Sequence, residues 1–158
     1  MANYKNIYFI GIGGIGMSAI ARYYNFKGLS VSGYDKTPSE LTHKLEEEGI
    51  KIHYTDDISF IPTDIENTLV IYTPAIPHDM GELVYVQEHG YKVLKRSRVL
   101  GEITNGQHCL AVSGTHGKTS TSTLTAHIFT ESISRWPSED LKNKPAHQPH
   151  TCSCCRSG

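Results

Sequence analysis

The stretch Ile7-Tyr8-Phe9-Ile10-Gly11-Ile12-Gly13-Gly14-Ile15-Gly16 decides the fold, because it joins an apolar run to a glycine-rich turn. The four apolar residues predict a strand that is buried on both faces of a parallel sheet. Gly11, Gly13 and Gly16 fit the Gly-x-Gly-x-x-Gly pattern, in which a strand turns sharply into a helix. Such a turn brings backbone amides and a helix N-terminus against a diphosphate. Asp35 follows the next predicted strand, where its carboxylate could accept a ribose hydroxyl.

The same alternation of strand and helix continues as far as about residue 106. Strands are predicted at 7–10, 30–34, 50–54, 68–72 and 91–94, and a rigid loop is predicted at 73–78, where Pro74 and Pro77 break the pattern. Helices are predicted from residue 15, near residue 37, over about 80–88, and over about 97–103. This order predicts an α/β fold with a Rossmann-like parallel sheet that carries helices on both faces.

The helices carry more specific predictions. The first helix should bury a face formed by Ile15, Ala19, Tyr23 and Phe26, and it should end at Gly28. Thr37-Pro38-Ser39-Glu40 has the composition of a helix start, with Thr37 as the capping hydroxyl. That helix should bury Leu41 and Leu45 and end at Gly49, and Ser97 should cap the fourth helix.

A second glycine loop, Gly114-Thr115-His116-Gly117-Lys118-Thr119, follows residues 110–113, which are predicted to form a strand. At a helix N-terminus, the Lys118 ammonium could meet the β- and γ-phosphates of a nucleoside triphosphate, and the Thr119 hydroxyl could ligate magnesium. The loop departs from the general P-loop because Val112 occupies the place of its first glycine. Leu124 and Ile128 predict the apolar face of the helix that follows.

The balance of 15 basic and 16 acidic residues, without a basic run between aromatics, argues against nucleic acid or an anionic membrane as a partner. Without a long apolar run or a leader-like N-terminus, a cytosolic protein is expected. The composition changes after about Phe129, and residues 131–158 are predicted to be a disordered tail. A zinc cluster in that tail is the alternative; its candidate ligands are His147, His150, Cys152, Cys154 and Cys155.

The second loop resembles the ATP loop of the Mur ligase family, the amide-forming enzymes of peptidoglycan assembly. Other segments are similar to the same family: residues 9–18, Ser32-Gly33-Tyr34-Asp35, the uridine-loop sequence Thr73-Pro74-Ala75-Ile76-Pro77, and Arg96-Ser97-Arg98-Val99-Leu100. The resemblance covers about residues 5–129. It implies a bacterial, cytosolic, ADP-forming ligase, in which ATP phosphorylates the carboxylate of UDP-N-acetylmuramate and L-alanine attacks the acyl phosphate.

The resemblance also implies the residues of each site. The UDP diphosphate would be held by Gly11, Gly13, Gly14, Ile15, Gly16, Met17 and Ser18, and the ribose and uracil by Ser32, Asp35, Thr73, Pro74, Ala75 and Ile76. ATP would be held by Gly114, Thr115, His116, Gly117, Lys118, Thr119 and Ser120. Lys118 and Thr119 would act in catalysis, with Mg²⁺ bound to Thr119. His116 more simply positions the backbone or contacts the nucleotide than acts as an acid or base.

By this resemblance, residues 1–106 form a UDP-substrate-binding domain that needs no cofactor. Residues 107–130 begin a central ATP-binding domain that stops short, and residues 131–158 form a tail outside the family pattern. The chain alone is therefore expected to bind the UDP-sugar without catalysing ligation, and to self-associate through the incomplete segment. An NAD-dependent oxidoreductase is the alternative function, because the first loop and Asp35 suit NAD as well.

Overall fold

The computed structural model describes residues 4–105 and 109–134, and the chain divides into two compact units, Met1–Cys109 and Leu110–Gly158. The first unit contains, in chain order, β1 Asn6–Ile10, α1 Ile15–Phe26, β2 Ser30–Tyr34, α2 Glu40–Glu47, β3 Lys51–His53, a 3₁₀ turn Ile58–Phe60, β4 Thr68–Tyr72, α3 Gly81–Glu88, β5 Lys92–Lys95 and α4 Arg96–Asn105. The second unit contains α5 Lys118–Ser134.

The five strands form one parallel sheet in the order β3-β2-β1-β4-β5. β1 lies at the centre, and its last residue, Ile10, pairs with Tyr34 on one side and Tyr72 on the other. From β1 to β3 the chain steps towards one edge, whereas from β4 to β5 it steps towards the other. The carboxyl ends of β1 and β4 therefore mark the topological switch point, where open α/β sheets form their ligand crevice.

Both faces of the sheet are covered, as the sequence predicted. Tyr8, Ile10 and Val70 pack on one face against Leu83 and Val86 of α3. Parallel crossovers are right-handed, so the opposite stepping directions put α1 and α2 on the other face. α1 contacts both α2 and α4 there. The predicted Rossmann-like architecture is confirmed, and β1 is buried on both faces.

The predicted buried face of α1 is wrong. Ile15 and Phe26 are 49% and 67% exposed, whereas Met17, Ile20 and Tyr24 are buried. The predicted face is rotated relative to the true one because helical spacing alone cannot tell which stripe the sheet covers. The predicted end is right, since Gly28 has φ +80° and its amide donates to the Asn25 carbonyl at 2.9 Å.

The start of α2 also differs from the prediction. Ser39, not Thr37, caps the helix: its hydroxyl accepts from the Thr42 amide at 3.2 Å, and its own amide donates to the Thr42 hydroxyl at 2.8 Å. Thr42 is fully buried and closes this capping box from the third helical position, which Glu40 cannot do. Leu45 is fully buried as predicted, and Gly49 follows the helix at φ +87°.

α4 follows β5 directly, with no loop between Lys95 and Arg96. Ser97 therefore lies inside the helix, and the prediction that it caps the helix is wrong. Buried Val99 and Ile103 hold α4 in place and fix its first turn next to the end of β5. The fifth strand itself lies one residue later than predicted at its start and its end.

In the second unit, residues 110–113 do not form the predicted strand. A strand needs a neighbour to satisfy its backbone groups, and the described part of this unit contains no other extended segment that could pair with it. α5 begins at Lys118 as predicted but continues to Ser134, so residues 131–134 are helical rather than disordered. The rest of the predicted tail and its zinc alternative lie outside the described residues.

Candidate functional site

The first glycine loop lies at the carboxyl end of β1. Gly11 has φ +87°, a conformation that suits glycine, and its amide donates to the Tyr34 carbonyl at 2.8 Å. The Ile12 amide donates to the same carbonyl at 3.0 Å, which fixes the start of the loop to the end of β2. The chain then enters α1 at Ile15, with Gly14 as the N-cap and without an acidic residue in the first turn. The start of a helix is the positive end of its macrodipole, which favours an anion.

Asp35 braces the middle of this loop. Its Oδ2 accepts a hydrogen bond from the Gly13 amide at 2.7 Å, and its Oδ1 accepts one from the Thr37 amide at 3.2 Å. A Cβ on residue 13 would lie only 2.8 Å from that Oδ2, so the contact requires glycine. A carboxylate has about four acceptor positions, which leaves Asp35 able to accept a ribose hydroxyl as well. The ribose contact stays a prediction.

The loop after β4 reaches the same place. A Cβ on Gly11 would lie 2.9 Å from Thr73 Cγ2 and 3.2 Å from Ile76 Cδ1, so the two loops are in contact at the switch point. The Ile76 amide donates to the Thr73 carbonyl at 3.1 Å and closes a turn that leaves Pro74 and Ala75 exposed. The structure thus brings together the loop segments that the sequence assigned to the diphosphate and the uridine.

Three residues that were predicted to bind the UDP-sugar do not present an exposed side chain at the loops. Met17 and Ser18 are buried at 1% and 2% exposure, and the Ser18 hydroxyl donates to the Ile15 carbonyl at 3.0 Å. Their side chains therefore serve the core and the helix. Ser32 lies in the middle of β2, paired with Tyr8, two residues before the carboxyl end of the strand.

Arg96, which the sequence assigned to no site, also lies at this edge of the sheet. The Arg96 guanidinium packs against Gly16 in the first turn of α1, where an added Cβ would lie 3.3 Å from Arg96 Cζ. An open cleft of about 490 Å³ lies beside it at the carboxyl ends of β4 and β5. It is lined by Tyr72, Val93, Leu94, Lys95, Ser97 and Arg98. In the sequence, Arg96 belonged to the segment 96–100 that resembles the family, but no binding role was predicted for it.

A buried polar cluster on the α3 face was also missed. The fully buried Glu82 carboxylate accepts from the Tyr8 hydroxyl at 2.6 Å and from the Asp57 amide at 3.1 Å, and it pairs with His53 Nε2 at 2.9 Å. Burial and the bond to Glu82 raise the pKa of Tyr8 far above its ordinary value. The His53 side chain is only 10% exposed and stacks on Phe60. The cluster ties β1 and β3 to α3.

The second loop has its own local geometry. Gly114 and Gly117 have φ +153° and +77°, and Lys118 Nζ donates to the Gly114 carbonyl at 2.6 Å. The side chain of Lys118 therefore folds over the loop at the start of α5. The exposed Thr119 and Ser120 follow it in the same turn. These residue types suit a triphosphate and its magnesium ion. No group of three or more metal-ligating side chains occurs within residues 4–105 and 109–132.

None of the helices in the described part of the chain is long and apolar enough to span a bilayer.

Comparison with known proteins places this geometry in a family. Residues 6–108 match the family described as Mur ligase family, catalytic domain. The UDP-N-acetylmuramate–L-alanine ligase of Flavobacterium psychrophilum is 60% identical over 129 residues, which are 80% of this chain and 29% of that protein. The ligase of the same name from Porphyromonas gingivalis is 55% identical over 131 residues, 81% of this chain and 29% of that protein. The chain thus spans less than a third of the length of these curated relatives.

Solved structures agree with the sequence relatives. The crystal structure of UDP-N-acetylmuramate–alanine ligase from Thermotoga maritima superimposes with a TM-score of 0.72 at 32% identity, covering 79% of this chain and 29% of that one. A murein peptide ligase from Psychrobacter arcticus gives a TM-score of 0.72 at 29% identity, covering 80% of this chain and 26% of that one. The alternative of an NAD-dependent oxidoreductase finds no support in these comparisons. The chain belongs to the Mur ligase family.

Proposed function

We propose that this chain is the UDP-sugar-binding portion of an ATP-dependent ligase that joins L-alanine to UDP-N-acetylmuramate. The observation that carries the proposal is the contact between the glycine loop and the loop after β4. Asp35 holds the glycine loop in place through a hydrogen bond of 2.7 Å from the Gly13 amide. The proposal is supported by the similarity to two UDP-N-acetylmuramate–L-alanine ligases, which are 55% and 60% identical to this chain over the matched residues.

In the proposed reaction, a phosphate from ATP is transferred to the sugar's carboxylate, because a free carboxylate is a poor electrophile. The L-alanine amine then displaces the phosphate and forms the amide bond. Lys118 would neutralise charge on the transferred phosphate, and the Thr119 hydroxyl would ligate the magnesium that accompanies ATP. We place this chemistry in the bacterial cytoplasm, where ATP is available.

The two loops divide the work in this proposal. Residues 1–106 would bind the UDP-sugar without a cofactor, with the glycine loop at the diphosphate and Asp35, which already holds the Gly13 amide, at the ribose. Residues 107–130 would supply the ATP loop. Residue types and backbone geometry in each loop support this division, since both contain glycines at positive φ before a helix.

Isothermal titration of the chain with UDP-N-acetylmuramate, NADH and ATP tests the proposal. We expect UDP-N-acetylmuramate to bind, and to stabilise the chain by about 2.7 kcal/mol at a concentration of 100 times its Kd. Lys118→Ala is the matched control, because it should weaken ATP binding and leave UDP-sugar binding unchanged. Tight binding of NADH with no response to the UDP-sugar would contradict the proposal.

A further inference from the structure

We propose that Arg96 is a further diphosphate-binding residue, which grips the phosphates together with the first turn of α1. This inference rests on the proposed function, because it concerns the same UDP-binding crevice. Nothing in the glycine pattern assigns Arg96, and its role follows from where α4 begins in the folded chain.

The fold places Arg96 at the edge of the sheet where the proposed crevice lies. β5 ends at Lys95 and α4 begins at Arg96, so this residue lies at the same carboxyl edge of the sheet as the glycine loop. Buried Val99 and Ile103 anchor α4, and α4 contacts α1 and β4. The start of α4 is therefore held firmly beside α1.

The guanidinium lies against the backbone of Gly16. A Cβ on residue 16 would overlap Arg96 Nη1 and would lie 3.4 Å from Arg96 Cδ. The contact explains why residue 16 is glycine: any larger residue would collide with the Arg96 side chain. The side chain therefore packs over the first turn of α1, directly after the glycine loop.

The electrostatics of this arrangement call for an anion. The N-terminus of a helix carries about half a positive charge, and a cation beside it is unfavourable. The first turn of α1 contains no acidic residue. Within the described residues, the ion pairs are Arg22–Glu48, His43–Glu46, Lys44–Glu40 and His53–Glu82, so no carboxylate there pairs with the partly buried Arg96. A diphosphate would compensate both positive charges at once.

Arginine suits this task better than lysine. Its planar guanidinium can donate two parallel hydrogen bonds to phosphate oxygens, whereas an ammonium acts as a point charge. We therefore expect Arg96 to bind phosphate oxygens and to make no contribution to recognition of the uracil or the ribose.

The test compares UDP and uridine binding to the full chain and to Arg96→Ala and Arg96→Lys, by calorimetry for UDP and ligand-observed NMR for uridine. Arg96→Ala should weaken UDP binding by about 10- to 100-fold, as expected for loss of charge-assisted hydrogen bonds, and Arg96→Lys by less. Uridine binding should not change, since uridine has no phosphate. Arg22→Ala and Arg22→Lys are the matched controls on α1, and they should bind UDP as the wild type does.

Two results would overturn the inference: unchanged UDP affinity in Arg96→Ala, or an equal loss for UDP and uridine, which would indicate a structural role. Circular dichroism checks that each variant is folded. If the wild type binds no uridine compound, the proposed function fails, and thermal unfolding with pyrophosphate decides the role of Arg96 separately. Stabilisation of the wild type but not of Arg96→Ala would support anion binding by Arg96, and equal stabilisation would refute it.

Discussion

At the scale of single residues, each glycine of the first loop makes room for a different neighbour. Gly11 admits Thr73 and Ile76, Gly13 admits Asp35, and Gly16 admits Arg96. The pattern of the three glycines was legible in the sequence, but the three neighbours were not. Each neighbour comes from another segment of the chain, so one short motif organises the whole edge of the sheet.

Gly13→Ala should destabilise the chain by about 1–3 kcal/mol, because the new Cβ would meet Asp35 Oδ2 at 2.8 Å and Thr42 Cγ2 at 2.9 Å. Gly14→Ala is the matched control: its nearest neighbour would lie 3.9 Å away, and its φ of −68° is ordinary for alanine. Urea unfolding of both variants measures the difference. Equal stability of the two variants would contradict the proposed bracing of the loop by Asp35.

At the scale of secondary structure, the strands were predicted well and the helix ends less well. β2 and β4 have the predicted bounds, since short apolar runs between turn residues define them. The starts of α2 and α4 differ from the prediction by one to three residues because several nearby residues could act as caps. Tertiary contacts of Thr42 and Val99, both fully buried, select among them.

Ser39→Ala should cost about 1 kcal/mol of stability, because it removes the acceptor of the Thr42 amide at the start of α2. Thr37→Ala, at the position that the sequence predicted as the cap, should cost less than half as much. Among the described residues, Thr37 is held by the hydrogen bond from its backbone amide to Asp35, which alanine keeps. Chemical unfolding monitored by circular dichroism compares the two. A larger loss of stability for Thr37→Ala than for Ser39→Ala would show that Thr37 is the cap, as the sequence predicted.

α5 differs from the other helices because the side chains of its predicted apolar face are exposed. Leu124, Ile128 and Phe129 are 60%, 55% and 44% exposed. The sequence predicted the helix correctly from its N-terminal signal and the apolar spacing. Self-association through this segment stays a prediction, for which the exposed apolar side chains supply the driving force.

At the scale of the whole molecule, stability should fall in strong alkali. The pKa of Tyr8 is raised by burial and by the Glu82 carboxylate, and burial raises the pKa of Tyr24 to about 12. Both folded-state values lie above the unfolded value of about 10. Their contribution to stability is therefore complete below pH 10 and is lost as the pH rises through the folded-state values.

We expect the free energy of unfolding of the wild type to decline above pH 10, by about 1.4 kcal/mol per pH unit for each such tyrosine. Tyr8→Phe should be less stable than the wild type at pH 7 by about 1–3 kcal/mol, because buried Glu82 Oε2 loses its donor. Its stability should decline less steeply, so that the two curves approach each other in alkali. If the free energies of unfolding of the two proteins fall in parallel above pH 10, Tyr8 does not cause the loss of stability in alkali.

The sequence by itself determined the parallel α/β architecture, the two glycine loops and the resemblance to the family. Each of these depends on residues that are close together in the chain, where periodicity and backbone preference act directly. The tertiary structure alone decided which face of α1 is buried, that Arg96 lies on Gly16, and that Tyr8, His53 and Glu82 form one cluster. It also left residues 110–113 without strand pairing. These outcomes depend on strand order and on contacts between distant segments, which local patterns do not encode.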